Sequence, residues 1–192
     1  VPDVAQKRKD WNGLISGFKA SDLVFLDESG CNTDMTRRYA YSLGGSRAVD
    51  SAPLSKPKNT TILSSIQLDG TLRYTTFSGG TTVERFKRYL ETDLLPHLNG
   101  NSVLIMDNMK SHHAKAVRNL LDSSGVRYIY LPPYSPDLNP IEKLWSKVKA
   151  FLRKFKARTL DALPNAIQCA FQTVSPSDCS GWFHSCGYSP YF

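Results

Sequence analysis

The stretch LPPYSPDLNPIEKLWSKVKAFLRKFK, residues Leu131 to Lys156, contains the start of a helix and one isolated carboxylate. Asn139 is a favourable N-cap and Pro140 suits the first helical position, so we expect the helix to begin at Pro140. Apolar residues then recur at steps of three and four, which predicts a single buried stripe along the helix. The stripe consists of Ile141, Leu144, Trp145, Val148, Phe151, Leu152 and Phe155.

Glu142 falls outside this apolar stripe. At about 100° per residue, its flank of the helix also carries three cations, Lys149, Arg153 and Lys156. In one interpretation Glu142 belongs to a capping box and reaches back to the backbone N–H of Asn139. In the other it is a metal-binding carboxylate at the head of a basic track, which requires two further carboxylates elsewhere in the chain.

The chain has 192 residues, 41% of them hydrophobic, which is enough for one well-buried domain and short for two. No apolar run approaches the roughly 20 residues of a membrane span, and no signal-peptide pattern opens the sequence. We therefore expect a soluble, cytoplasmic protein without a membrane partner, associated with the nucleoid if its source is bacterial. The four cysteines form no CxxC pair, which favours free thiols over a zinc site.

The sequence is basic, and its charge is concentrated. The formal net charge is +7, and seven Lys or Arg residues lie between Lys143 and Arg158. A helix face of this kind most often indicates nucleic acid binding, with a merely solvated face as the alternative. We expect Lys149, Arg153 and Lys156 to contact DNA phosphates without reading the base sequence.

Two apolar runs each end in an aspartate. The run Leu23 to Glu28, LVFLDE, is typical of a central strand with a functional carboxyl end, which makes Asp27 a candidate site residue. The run Ser102 to Met106 repeats the pattern and delivers Asp107. Glu28 is an alternative to Asp27, since adjacent residues face opposite sides of a strand. Either aspartate could also be a turn former or a helix cap.

The remaining pattern predicts a mixed α/β fold. Asp69-Gly70 joins two alternating runs as a hairpin, and strand–helix alternation follows it. This order predicts a ribonuclease-H-like mixed five-stranded sheet flanked by helices. We expect a leader helix at residues 1–20, a catalytic domain at 21–175 with a loop insertion at 30–59, and a tail at 176–192 with little helical pattern.

In such a sheet Asp27 and Asp107 emerge side by side at one edge. Two like charges so placed repel each other unless a cation lies between them. Glu142 becomes the third ligand if its helix starts near that edge. Carboxylate oxygens suit Mg2+ or Mn2+, and two such ions can activate a water or a 3'-OH and stabilise the leaving oxygen of a phosphodiester.

Three segments, LVFLDESG, SVLIMDNMKSHHA and LPPYSPDLNPIEKLWSKVK, resemble the catalytic blocks of DDE transposases of the IS630/Tc1/mariner superfamily, most of all the IS630 type. The 34 residues between Asp107 and Glu142 correspond to the spacing called DD34E. The resemblance implies a catalytic, metal-binding triad of Asp27, Asp107 and Glu142. It also implies supporting roles near the metals or the DNA for Asn108 and His112, although a helix-capping or core role is an alternative for His112.

The same resemblance implies cleavage of phosphodiester bonds at transposon ends and transfer of the 3'-OH ends to target DNA, at TA dinucleotides. It further implies a homodimer in the active assembly, with a 30–59 loop that can reach the partner subunit. Arg37, Arg38 and Tyr41 of that loop either touch DNA or protein or are solvated loop residues. The family's N-terminal helix-turn-helix region has no counterpart in this sequence. The alternatives are a non-catalytic DNA-binding or dimerisation fragment, or another ribonuclease-H-like nuclease.

Overall fold

A computed structural model of the chain describes residues 2–37, 39–51, 53 and 57–188. Its core is a five-stranded sheet in the order β3-β2-β1-β4-β5. The strands are β1 (Leu23–Cys31), β2 (Thr60–Gln67), β3 (Leu72–Ser78), β4 (Val103–Met106) and β5 (Arg127–Tyr130). The helices are α1 (Pro2–Ile15), α2 (Val83–Tyr89), α3 (Lys115–Ser124), α4 (Ile141–Phe155), α5 (Ala162–Gln172) and α6 (Pro176–Ser185).

The sheet is mixed, as predicted. Strands β1, β2 and β3 are antiparallel neighbours, and the β2–β3 hairpin turns at Gly70, whose φ of 91° suits glycine. Strands β1, β4 and β5 run parallel, with Leu26 paired to Met106. Because Asp27 and Asp107 each follow one of these paired residues, both emerge at the same edge of the sheet.

The two faces of the sheet have separate hydrophobic cores. Phe25 packs in one core with residues of α1, α4, α5 and α6, whereas Val24 and Leu26 pack in the other with α2 and α3. Side chains alternate along a strand, so Asp27 lies on the α4 side of β1 and Glu28 on the α2–α3 side. This alternation separates the two neighbouring acids.

The start of α4 differs from the prediction. The helix begins at Ile141 with Pro140 as its N-cap, and no side chain caps it. The backbone N–H of Asn139 instead donates to Pro136 O at 3.1 Å, which closes a single 3-10 turn at Pro136–Leu138. The predicted Asn139 cap was wrong because the Asn139 side-chain Oδ1 accepts no hydrogen bond from the first turn of α4, and only its backbone carbonyl accepts one, from the Glu142 N–H at 3.1 Å.

The expectation of a non-helical tail was also wrong. Residues Pro176–Ser185 form α6, which starts with a capping box between Ser175 and Asp178. Phe183 is fully buried and contacts Phe25 edge-on, with ring centroids 5.3 Å apart. The helical period is hard to read there because Gly181 and several small polar residues interrupt it. The limits of the three predicted segments stay a prediction.

Among the described helices, none has the length and apolarity needed to cross a membrane. None of the four cysteines forms a disulfide bond.

Candidate active site

Asp27 is a buried carboxylate on the α4 side of β1, with only 8% of its surface exposed. Its Oδ1 accepts a hydrogen bond from the Glu28 backbone N–H at 2.8 Å, and its Oδ2 accepts one from Trp145 Nε1 at 3.1 Å. Burial raises the pKa of Asp27 to about 7, against the effect of these two donors, and the charges of Asp107 and Glu142 add to the rise. A bound cation would relieve this cost.

Asp107 follows β4 and is held by two donors on one oxygen. Its Oδ1 accepts from the Met109 backbone N–H at 3.0 Å and lies 2.8 Å from His112 Nδ1. Burial alone would raise the pKa of Asp107, but the hydrogen bonds from His112 and Met109 outweigh burial and lower it. Asp107 is therefore an ionised carboxylate whose position is fixed by the loop that follows it.

Glu142 is the second residue of α4 and is exposed. Its backbone N–H donates to Asn139 O at 3.1 Å, but its carboxylate forms no hydrogen bond with any described residue. The capping-box interpretation is therefore not borne out by the structure. The side chain instead lines the same pocket as Asp27 and Asp107.

The three carboxylates meet at a pocket of about 210 Å³. Asn108, Asn139 and residues 131–136 complete its lining. Asn139 is 4% exposed, and its buried Oδ1 has no hydrogen-bond partner among the described residues. Within the described part of the chain, however, no three acidic, histidine or cysteine side chains already converge tightly enough to hold one ion.

The donor set fits a hard divalent cation. All the candidate ligands are oxygens, the buried Asp27 is unfavourable as an uncompensated anion, and Asn139 contributes a further unpartnered oxygen. The structure thus gathers the predicted triad at the lining of one pocket. The alternative ligand Glu28 does not line this pocket. Its side chain lies on the opposite face of β1 from Asp27 and contacts His112.

Asn108 and His112 both connect elements around the pocket. Asn108 Nδ2 donates to Leu131 O at 2.5 Å, which joins the end of β4 to the end of β5. His112 is fully buried in the turn before α3, which begins at Lys115 with Ala114 as its N-cap. His112 is therefore not a helix cap. Burial alone would lower the pKa of His112, but its hydrogen bonds with Asp107 and Glu28 raise it to about 9.

A loop at residues 132–138, which we call the pocket loop, forms the rim of the site. Tyr134 is 91% exposed and has a left-handed φ of 55°, an uncommon conformation for an aromatic residue. Arg8 in α1 donates to Ser135 Oγ at 2.9 Å and pairs with Asp137. Tyr188 donates to Leu138 O at 2.7 Å. Sequence patterns gave no sign of these anchors, because they join residues more than a hundred positions apart or bond to the backbone.

The basic residues occupy the flank of α4 beyond Glu142. Lys149 and Arg153 line a groove against the end of β1 and residues 32–36. A larger cleft of about 790 Å³ lies nearby, and it is lined by Arg37, Tyr39, Lys147, Ala150, Phe151, Arg153, Lys154 and Thr173. This mixture of cations and aromatic rings is typical of surfaces that follow a nucleic acid backbone.

The predicted DNA contact Lys156 does not line either of these two surfaces. Lys156 has a left-handed φ of 57° just after α4, and its Nζ pairs with Asp50, with an Nζ–Oδ2 distance of 2.7 Å. Arg38 lies outside the described residues. The neighbouring Arg158 donates to Thr33 O at 3.1 Å and Met35 O at 3.3 Å. The segment just after α4 therefore holds Thr33, Met35 and Asp50 of the 30–59 loop beside the basic groove.

Fold and pocket together define a ribonuclease-H-like α/β domain with an acidic pocket at the carboxyl ends of its parallel strands. The family model described as DDE superfamily endonuclease matches residues 22–164. Since this match covers well over half of the chain, the chain belongs to the DDE superfamily of endonucleases. The predicted resemblance to DDE transposases is thereby confirmed, and its finer IS630-type assignment stays a prediction.

The relatives are transposases of the Tc1/mariner group. The Tc1 transposase of Caenorhabditis elegans is 29% identical over 97 residues, which are 48% of this chain and 36% of that protein. A pre-cleavage Mos1 transpososome aligns with a TM-score of 0.80 at 19% identity, over 95% of this chain and 59% of the Mos1 chain. The Mos1 mariner paired-end complex with Mg aligns with a TM-score of 0.76 at 17% identity, over 96% of this chain and 59% of that chain. At these identities the structural likeness shows the fold alone.

Proposed function

We propose that this chain is the catalytic domain of a transposase, which cleaves phosphodiester bonds at transposon ends and transfers the 3'-OH ends to target DNA. The observation that carries the proposal is the pocket itself. Asp27 from β1, Asp107 after β4 and Glu142 from α4 line one cavity, although they are far apart in the chain. By resemblance, the target is a TA dinucleotide.

The proposed cofactor is a pair of Mg2+ or Mn2+ ions held by Asp27, Asp107 and Glu142. Such ions, when bound, would favour an attacking water or 3'-OH and offset negative charge at the scissile phosphate. The protein prepares the site for them. Trp145 and the Glu28 backbone N–H hold the Asp27 carboxylate, and His112 and Met109 hold Asp107. Glu142 has no competing hydrogen bond with the described residues, so it is free to adjust.

The proposed substrate is DNA, which would lie along the basic flank of α4. Lys149 and Arg153 are on the same helix face as Glu142, so a backbone bound there leads into the acidic pocket. Lys147 contributes less, because its Nζ pairs with Asp178 at 2.6 Å. A Mos1 structure of the same fold is described as a paired-end complex with the left transposon end, which supports DNA as the partner.

The proposed assembly is a homodimer, formed in part by the 30–59 loop. The loop exposes large apolar side chains, which is unusual for a loop that faces only water. They are Tyr39, Tyr41, Leu43 and Val49, each at least 88% exposed. Arg37 is exposed at the same loop and is available to DNA or to a second copy.

The test is nicking of supercoiled plasmid DNA by the purified chain with Mg2+ or Mn2+, compared with EDTA. We expect metal-dependent nicking that falls to background in Asp107→Asn and is retained in Asp161→Asn, an exposed control on the same domain. An RNA–DNA hybrid offered in parallel should be a poorer substrate than duplex DNA. DNA binding without metal-dependent nicking would instead indicate a non-catalytic DNA-binding fragment.

A further inference from the structure

Glu28 and Asp107 are joined through one buried imidazole. Glu28 Oε1 lies 3.3 Å from His112 Nε2, and Asp107 Oδ1 lies 2.8 Å from His112 Nδ1. Glu28 lies in β1 and Asp107 directly follows the adjacent parallel strand β4, and the two carboxylates approach the ring from opposite ends. Among the described residues, these carboxylates and the Asp107 carbonyl, 3.3 Å from Nδ1, are the only partners of the ring nitrogens.

The imidazole has little freedom to rotate. His112 is completely buried, and its ring stacks on Phe86 with centroids 4.2 Å apart and planes 25° apart. Tyr130 Oη donates to the His112 carbonyl at 3.0 Å, which fixes the backbone as well. A ring held in this way has its orientation set by the acceptors at its two nitrogens.

Glu28 cannot act as a ligand in the pocket from its present position. Its side chain is 7% exposed, it lies on the opposite face of β1 from Asp27, and it does not line the pocket. Its Oε2 is buried without a hydrogen-bond partner among the described residues. Packing alone does not account for a carboxylate at this position, since an apolar side chain would fill the space without burying an unsatisfied oxygen.

The geometry determines which oxygen of Asp107 faces the pocket. Oδ1 is occupied by His112 and by the Met109 backbone N–H, whereas Oδ2 has no donor among the described residues. The Asp107 side chain is 36% exposed, and it lines the pocket. Removing a residue that hydrogen-bonds to a metal ligand and orients it commonly lowers metal affinity or activity by about 10- to 100-fold.

We propose that Glu28 is a positioning residue for Asp107 and acts through His112. Glu28 Oε1 accepts a hydrogen bond from His112 Nε2–H, the ring donates Nδ1–H to Asp107 Oδ1, and Asp107 Oδ2 is left free towards the pocket. The inference rests on the proposed function, because Asp107 is the ligand that is positioned. No group outside the protein is needed for this role.

The central variant is Glu28→Gln, which keeps the size of the side chain and removes its charge. Its matched control is Glu91→Gln, the same change at an exposed position in the helical segment that continues α2, where Glu91 pairs with Lys87 on the surface. Mn2+ affinity is measured by electron paramagnetic resonance without DNA, and DNA affinity and cleavage rate are measured separately. We expect Glu28→Gln to weaken Mn2+ binding about tenfold and to lower the cleavage rate at saturating DNA, while DNA affinity is unchanged.

A double-mutant cycle tests whether the effect passes through the ring. Glu28→Gln is combined with His112→Asn, and we expect the double variant to bind Mn2+ as weakly as His112→Asn alone. Additive effects of the two changes would overturn the proposal, and so would unchanged Mn2+ affinity in Glu28→Gln.

A readout without metal covers the case in which His112→Asn does not fold. In EDTA, the ring nitrogen resonances of His112 in ¹⁵N spectra should shift in Glu28→Gln and stay unchanged in Glu91→Gln. Unchanged His112 resonances in Glu28→Gln would overturn the proposal. Failure of the wild-type protein to bind Mn2+, or wild-type affinity in Asp107→Asn, would overturn the proposed function itself and is distinct from these outcomes.

Discussion

Trp145 donates its indole N–H to Oδ2 of Asp27 at 3.1 Å, so α4 is hydrogen-bonded directly to the strand that it covers. Trp145 is 3% exposed and lies one turn after Glu142 on the same helix. The bond therefore ties the helix that carries Glu142 to the carboxylate of Asp27. It also satisfies an indole N–H that would otherwise be buried without a partner.

The change Trp145→Phe should weaken Mn2+ binding about tenfold while the fold is kept. Phenylalanine preserves most of the buried ring but removes the donor that orients Asp27 and favours its charged form. The measurement is Mn2+ titration followed by electron paramagnetic resonance. Trp182→Phe, the same substitution in α6, is the control, and equal losses in both variants would contradict a specific role for the Asp27 bond.

The buried Asp27 should make the metal-free protein less stable as the pH rises. Its pKa is about 7 in the native state, compared with 3.8 for an unperturbed aspartate. Between about pH 4 and pH 7 the native state thus keeps a proton that the unfolded state has lost, so the free energy of unfolding falls by up to about 1.4 kcal/mol per pH unit. Above pH 7 this contribution no longer changes.

Asp27→Asn lacks that proton equilibrium. Its free energy of unfolding, relative to the wild type, should increase by roughly 2 to 4 kcal/mol between pH 4.5 and pH 8. Urea unfolding in EDTA at several pH values measures the difference, and Asp161→Asn should follow the wild type throughout. Parallel curves for Asp27→Asn and the wild type would show that Asp27 is not the group responsible.

Single alanine substitutions at Lys149 and Arg153 should weaken binding to any duplex DNA by similar factors. Each removes about one phosphate contact, so the slope of log affinity against log salt concentration should fall by about 1. Lys156→Ala should have a smaller effect, because Asp50 already pairs with that ammonium group. Fluorescence anisotropy over a salt series measures the slopes, with Lys115→Ala on α3 as the control. Unchanged affinity in both Lys149→Ala and Arg153→Ala would rule out the basic flank as the DNA path.

Gly70→Ala should destabilise the fold by about 1 to 3 kcal/mol. Gly70 has a φ of 91°, and a Cβ there would lie 2.9 Å from Pro176 Cα at the start of α6. Urea unfolding measures the loss. Gly100→Ala is the control, since a Cβ at that position meets nothing within 4 Å. Equal stability of the two variants would mean that the hairpin does not pack against α6 as described.

Local patterns were enough to predict the sheet and to place Asp27 and Asp107 at one edge of it. The choice of Asp27 over Glu28 and the inclusion of Glu142 came instead from the family resemblance. Apolar runs define β1 and β4, and parallel neighbours necessarily deliver Asp27 and Asp107 to one edge. The start of α4 was predicted to within one residue. These features follow from short-range hydrophobic periodicity, which a single sequence shows, together with the general geometry of parallel strands.

The contacts that make the site specific could not be predicted in this way. Trp145 was correctly interpreted as a buried stripe residue, but its N–H bonds a carboxylate 118 positions away, which periodicity does not reveal. Glu28 was considered only as a substitute ligand, because its partner His112 comes from a turn without regular structure. The track of cations was predicted to continue to Lys156, but the backbone turns left-handed there and the helix stops.

The pocket loop is held from both ends of the described chain. Arg8 hydrogen-bonds to Ser135 and pairs with Asp137. Tyr188 Oη donates to the Leu138 carbonyl, and Trp11 Nε1 lies 3.2 Å from the same Oη. A polypeptide trimmed to residues 21–175 would lose every one of these anchors while keeping all three acids. The pocket loop of such a fragment would be less firmly held at the rim of the site. Weak nuclease activity of the fragment would then reflect the lost anchors and not a defect of the three acids.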